Sequence, residues 1–156
     1  MLLALVAAAT LTIGIDGVLA EPTTELRAQT RVAILLPNAL PVVDRRIKLH
    51  ATGSGSRDRY TFRLTTTPDC DANFCYVATF SARKGKGRMT GRAIGLAKGR
   101  KGRFHPMSCG ASCSPASITW RERGATYTLE AMIPLKADQR AALRKLANSA
   151  IKRGPR

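Results

Sequence analysis

Apolar and polar side chains alternate with a period of two in several stretches of this chain. Ile47, Leu49 and Ala51 alternate with Lys48, His50 and Thr52, and Tyr60, Phe62 and Leu64 alternate with Thr61, Arg63 and Thr65. Further on, Ile118 and Trp120 occupy alternate positions, as do Tyr127, Leu129 and Ala131. Successive side chains of a strand point to opposite faces, so each stretch predicts a half-buried β-strand. The run Tyr76 to Phe80, rich in β-formers, pairs with the Tyr60 strand as a hairpin, and a second hairpin turns at Arg123-Gly124. GSGSRD reads as a turn, and Arg31 to Val43, broken by Pro37 and Pro41, as a short edge strand followed by an extended segment. Met89 to Ala97 is a weaker strand anchored by Ile94 and Leu96, and the surrounding residues read as loop.

The period changes near the C-terminus. Leu143, Leu146, Ala147, Ala150 and Ile151 recur at three- and four-residue steps, while Arg140, Arg144, Lys145 and Lys152 fall elsewhere. This is an amphipathic helix, with Asp138 as its N-cap and Gly154-Pro155 as its stop. Strands followed by one terminal helix predict an α+β domain, an antiparallel β-sheet of about five to seven strands covered by one C-terminal helix.

The first twenty residues break the pattern. The run LLALVAAATLTIGI is continuously apolar, and Val18 and Ala20 place small residues ahead of Glu21. Residues 1–20 therefore read as a cleavable signal peptide, 21–30 as a flexible lead-in and 31–156 as a single exported domain. The uninterrupted apolar run is shorter than a bilayer-crossing helix requires, roughly 20 residues. The expected location is secreted, periplasmic or in the cell envelope. Cysteine usage agrees with that compartment: Cys70, Cys75, Cys109 and Cys113 are even in number, and their spacing favours the local pairs 70–75 and 109–113 over a four-thiolate zinc site. No metal and no cofactor is expected.

Charge then narrows the partners. The formal net charge is +16, and removal of Asp16 with the leader would make it +17. Between 83 and 103 stand nine cations and no acid, interleaved with glycine: Arg83, Lys84, Lys86, Arg88, Arg92, Lys98, Arg100, Lys101 and Arg103. Closely spaced cations attract polyanions by releasing their counterions, which makes this tract the candidate anion-binding surface. Its partners would be anionic envelope polymers, lipid headgroups or other polyanions. Sequence-specific nucleic-acid reading is not expected, since Tyr76 and Phe104 are too few for a base-stacking platform. Catalytic chemistry has little to work with: no HExxH, GxSxG or phosphate loop occurs. The one enzymatic alternative is a small hydrolase, nuclease-like, in which His50, His105 and Lys101 converge on a phosphate. An extracytoplasmic sensor or interaction domain is a further alternative. Trp120 and Tyr127 read as core rather than as a carbohydrate platform.

PDCDANFC, CGASCSPASITW, RGATYTL, LRKLANSAI and the proline-bounded LLPNALP together resemble a group of uncharacterised exported bacterial proteins and, more distantly, the extracytoplasmic domains of membrane-anchored regulators. The resemblance spans most of the chain beyond the leader. It implies an antiparallel sheet, paired cysteines and a packing C-terminal helix, and it implies no activity. The density of Lys and Arg between 83 and 103 departs from that group.

Overall fold

A computed structural model describes residues 11–134 and 137–156. The expected α+β architecture is present. In chain order the elements are β1 (Thr12–Gly14), α1 (Asp16–Gln29), β2 (Ala39–Pro41), β3 (His50–Ser56), β4 (Arg59–Thr65), β5 (Tyr76–Lys84), β6 (Arg92–Gly95), β7 (Lys101–His105), β8 (Ser108–Cys109), β9 (Cys113–Ser114), β10 (Ala116–Glu122), β11 (Ala125–Ala131) and α2 (Gln139–Arg153). Seven strands form one antiparallel sheet in the order β3-β4-β5-β11-β10-β7-β6, and β1-β2 and β8-β9 are two-stranded outliers.

Register explains why one face of the sheet is apolar. Phe62, Phe80, Leu129, Ile118 and Phe104 stand opposite one another across five strands, and the next row is Tyr60, Ala82, Tyr127, Trp120 and Gly102. All of these apolar side chains are buried. Trp120 is fully enclosed and stacks on Tyr127 with ring centroids 5.3 Å apart, which settles it as core. From α2, Leu143, Leu146, Ala147, Ala150 and Ile151 close over this inner face, as their spacing predicts. Asp138 Oδ1 accepts from the Ala141 N–H at 3.0 Å, and Gly154 takes the positive φ of a helix stop. The Arg123-Gly124 hairpin also forms as expected, both residues having the positive φ that tight two-residue turns require.

Four differences from the sequence reading have physical causes. First, a second helix covers the sheet. Residues 21–29, expected as a flexible lead-in, form most of α1, whose Leu19 and Leu26 are buried. The first ten residues of the expected signal peptide lie outside the described residues, but Ile15 and Leu19 of that segment are core. The expected cleavage point after Ala20 falls inside α1. Arg153 donates to Asp16 at 2.9 Å and Arg156 reaches the same carboxylate, tying the start of α1 to the end of the chain. Burial alone would raise the Asp16 carboxyl, but these two arginines outweigh it and hold the group below its ordinary range.

Second, the strand expected over Ile47 to Thr52 runs instead from His50 to Ser56, so Ile47 to Leu49 are not strand, GSGS is, and the turn is Arg57-Asp58. Gly53 and Gly55 face α1, where an added Cβ would lie 2.9 Å and 2.7 Å from the methyls of Leu26. They are glycine because the helix lies directly on the strand. Third, Val32 to Leu36 is buried but unpaired extended chain, and only Ala39–Pro41 beyond it is strand. Tyrosines and the chain's end satisfy much of its backbone: the Leu35 N–H donates to the Tyr60 hydroxyl at 3.1 Å, the Tyr127 hydroxyl donates to Ala33 O at 2.9 Å, and the Arg156 N–H donates to Ile34 O at 3.0 Å. Fourth, Lys101 to His105, read as loop, is β7, with Gly102 and Phe104 on its inner side.

Cys70 lies at disulfide distance from Cys75, in the loop joining β4 to β5, and Cys109 from Cys113, across the β8-β9 hairpin. No described helix is long and apolar enough to cross a membrane.

Candidate anion-binding surface

Both helices lie on one side of the sheet, so the other side is formed by the polar half of each alternating strand. Across it run three rows. Ser56, Arg59, Arg83, Thr126 and Arg121 form the first; Ser54, Thr61, Ser81, Thr128, Thr119 and Arg103 the second; Thr52, Arg63, Thr79, Glu130, Ser117 and His105 the third. Among the described strand positions of this outer face, Glu130 is the one carboxylate. Burial between its neighbours pushes its carboxyl above the ordinary range.

The glycine-rich part of the basic tract is a strap over this face. From the end of β5 the chain must reach β6 at the far edge, and Gly85 to Gly91 takes it across the outer surface. Thr126, buried beneath, donates to Gly85 O at 2.8 Å and accepts from the Gly87 N–H at 2.9 Å. Arg121 donates to Gly87 O at 2.7 Å and Arg103 to Gly91 O at 3.4 Å, while Thr90 Oγ1 meets His105 Nε2 at 2.9 Å. Gly91 has φ +106°, and a Cβ there would stand 2.5 Å from Phe104 O, so the strap lies this close only because the residue is glycine.

The nine predicted cations divide. Arg83, Lys101 and Arg103 occupy outer-face strand positions, and Lys86 and Arg88 are exposed on the strap. Lys84 is turned to Asp58, with Nζ 3.8 Å from Oδ1. Arg92 stands opposite Phe104 at the sheet edge, on the helix side. Lys98 sits in the tight turn before β7, which is held to α2 on the helix side by the Ala97 N–H donating to Asn148 Oδ1 at 2.6 Å, and Arg100 donates to the buried Glu122 carboxylate at 3.2 Å. Those last three are therefore not part of the surface. Conversely, Arg59, Arg63 and Arg121 join it from strands outside the tract. Arg63 lies 5.8 Å over the Tyr76 ring and 3.5 Å from Asp71. Only the register reveals these three, because no run of charge in the sequence links them to Arg83.

The two histidines do not meet. His50 is on edge strand β3 and His105 on β7, five strand intervals apart, about 24 Å at the usual interstrand spacing. His105 is engaged by Thr90, and Lys101 is on the β7 side alone. The paired-imidazole site of the hydrolase alternative is not assembled. Among the described residues no group of three or more His, Cys, Asp or Glu is placed to hold a metal. No protein-family model, curated protein or solved structure matches the chain.

Proposed function

We propose that this protein is a noncatalytic binding module for a flexible anionic polymer, which it contacts along the strapped outer face of its sheet. The observation that carries this reading is the convergence of Arg59, Arg83, Arg121, Arg103, Lys86 and Arg88 on the one sheet face that neither helix covers, whose one strand carboxylate among the described residues is half-buried. Strand pairing fixes the spacing of the four sheet arginines before binding, and each neutralised anionic group releases a counterion. Flanking hydroxyls of Thr61 and Ser81 supply donors between the cations, while those of Thr119 and Thr128 bond each other at 3.2 Å.

A polymer fits this surface better than a membrane. Phe74, 86% exposed, is the described side chain best suited to enter an interface, but it lies in the Cys70–Cys75 loop, at the opposite end of β5 from the strap. The paired cysteines support operation in an oxidising, extracytoplasmic setting. In this reading export leaves Ile15 and Leu19 in place, since removal at Ala20 would take two core side chains and divide α1.

Titration of a labelled sulfated oligosaccharide, a single-stranded oligonucleotide and anionic vesicles against salt tests the reading. Binding to both polymers should weaken linearly in log salt with a slope magnitude of roughly 3 to 4, as about five contacts require, and vesicles should bind more weakly at equal charge. Absence of polymer binding at low salt, or binding indifferent to salt, would overturn it.

A further inference from the structure

We propose that one end of the outer arginine row is a discrete subsite for a tetrahedral oxyanion, a phosphate or sulfate group of the bound polymer, built from Ser56, Arg59, Arg83 and Lys84. It rests on the polyanion reading and gives that surface a fixed point of attachment.

Arg59 and Arg83 stand directly opposite one another in the β4-β5 pair. Side chains so placed have Cβ atoms about 5 Å apart, and like charges there oppose folding. Both are exposed, and among the described residues neither guanidinium has a carboxylate or carbonyl partner. A like-charged cross-strand pair with no counterion of its own is relieved by an anion between the two heads. Guanidinium forks match the oxygens of phosphate and sulfate and hold them by charge-assisted hydrogen bonds.

The surroundings shape that space into a site. Ser56 faces Arg59 from β3 and brings a hydroxyl. The Lys84 N–H donates to Asp58 O at 2.8 Å and Lys84 Nζ lies 3.8 Å from Asp58 Oδ1, so the β3-β4 turn is fastened against the end of β5. This contact directs the one nearby carboxylate to Lys84 and leaves the two arginines uncompensated. The result is a shallow concavity of about 410 Å³ lined by Ser56, Asp58, Arg59, Arg83 and Lys84. Such a volume takes one oxyanion with its waters, and its open side allows the group to remain part of a chain. Arg83 is next to Thr126, over which the strap passes, so a polymer fixed here continues toward Arg121.

Thermal unfolding in inorganic phosphate or sulfate, against chloride of equal ionic strength, reads the subsite directly, with Arg59→Gln, Arg83→Gln and the helix-side control Arg144→Gln. The intact protein and R144Q should gain Tm in the oxyanions over chloride. R59Q and R83Q should lose that gain, yet match or exceed the intact protein in chloride, because the like-charge pair is gone. The R59Q/R83Q double variant should also bind the sulfated oligosaccharide at least tenfold more weakly. An equal oxyanion gain in all variants, or none in the intact protein, would overturn the subsite. If polymer binding persists in that case, the polyanion reading stands without it. An oxyanion gain specific to the arginine pair with no effect on polymer affinity would assign the pocket to a free anion and contradict a polymer attachment point.

Discussion

Trp120 and Glu130 show how the two faces of one sheet treat a side chain. Trp120 is completely buried against Tyr127 under α2. Its replacement by alanine leaves a large cavity and should cost about 3 to 5 kcal/mol, measured by denaturant unfolding; an unchanged midpoint would contradict its place in the core. Glu130 is half-buried on the polar face, and burial raises its carboxyl above the ordinary value of 4.5. The folded state thus prefers the protonated form. That advantage is complete below the ordinary carboxylate value and is lost as pH rises through the raised one. Glu130→Gln, which stays uncharged, should therefore melt above the parent at about pH 7 and converge with it at about pH 4. A variant less stable than the parent at neutral pH would show instead that the carboxylate has a cationic partner.

Among the elements, α1 against β3 is the contact most dependent on small side chains. Gly55→Ala places a Cβ 2.7 Å from a Leu26 methyl and 3.2 Å from Arg59 O, so overpacking should cost about 1 to 3 kcal/mol in denaturant unfolding, with part recovered by Leu26→Ala. Additive costs in the double variant would contradict direct packing. This contact also marks where pattern stops being informative. β4, β5, β10, β11 and α2 were legible because each alternates or repeats large apolar residues against polar ones. The alternation from Ile47 to Thr52 places β3 three residues early and ends it too soon, because glycine suits both turns and close packing, and β7 is hidden because one of its two inner residues is Gly102. α1 was hidden by an apolar leader pattern whose second half, Leu11 to Ala20, is compatible with either a leader or a folded element. The site was half legible. Nine clustered cations are visible in sequence, but Arg59 and Arg121 reach Arg83 only through strand pairing, while Arg92 leaves the cluster by its register, Lys98 with a turn held to α2 and Arg100 through its bond to Glu122.

For the whole molecule, the large inner core carries the fold and the disulfides fasten its margins. Both bridges close short loops, with sequence separations of 5 and 4, so reduction should remove about 2 kcal/mol or less from each without unfolding the sheet, as circular dichroism with and without reductant would show. Collapse of the β-sheet signal on reduction would contradict that division. A net charge of +16 ensures some attraction to any polyanion, so location rather than charge is the decisive property. The helix side supplies an equal-charge comparison, since Arg140, Arg144, Lys145 and Lys152 line a groove of about 750 Å³ between α2 and the β6 edge, on the helix side of the sheet. The most direct measurement compares the salt dependence of oligosaccharide binding for two fourfold glutamine variants, one at Arg83, Lys86, Arg88 and Arg121 and one at Arg140, Arg144, Lys145 and Lys152. If the strapped face is the contact, the first variant should lose affinity steeply and lower the slope magnitude by about 3, while the second stays near the parent; equal losses in both, or a greater loss in the second, would contradict it.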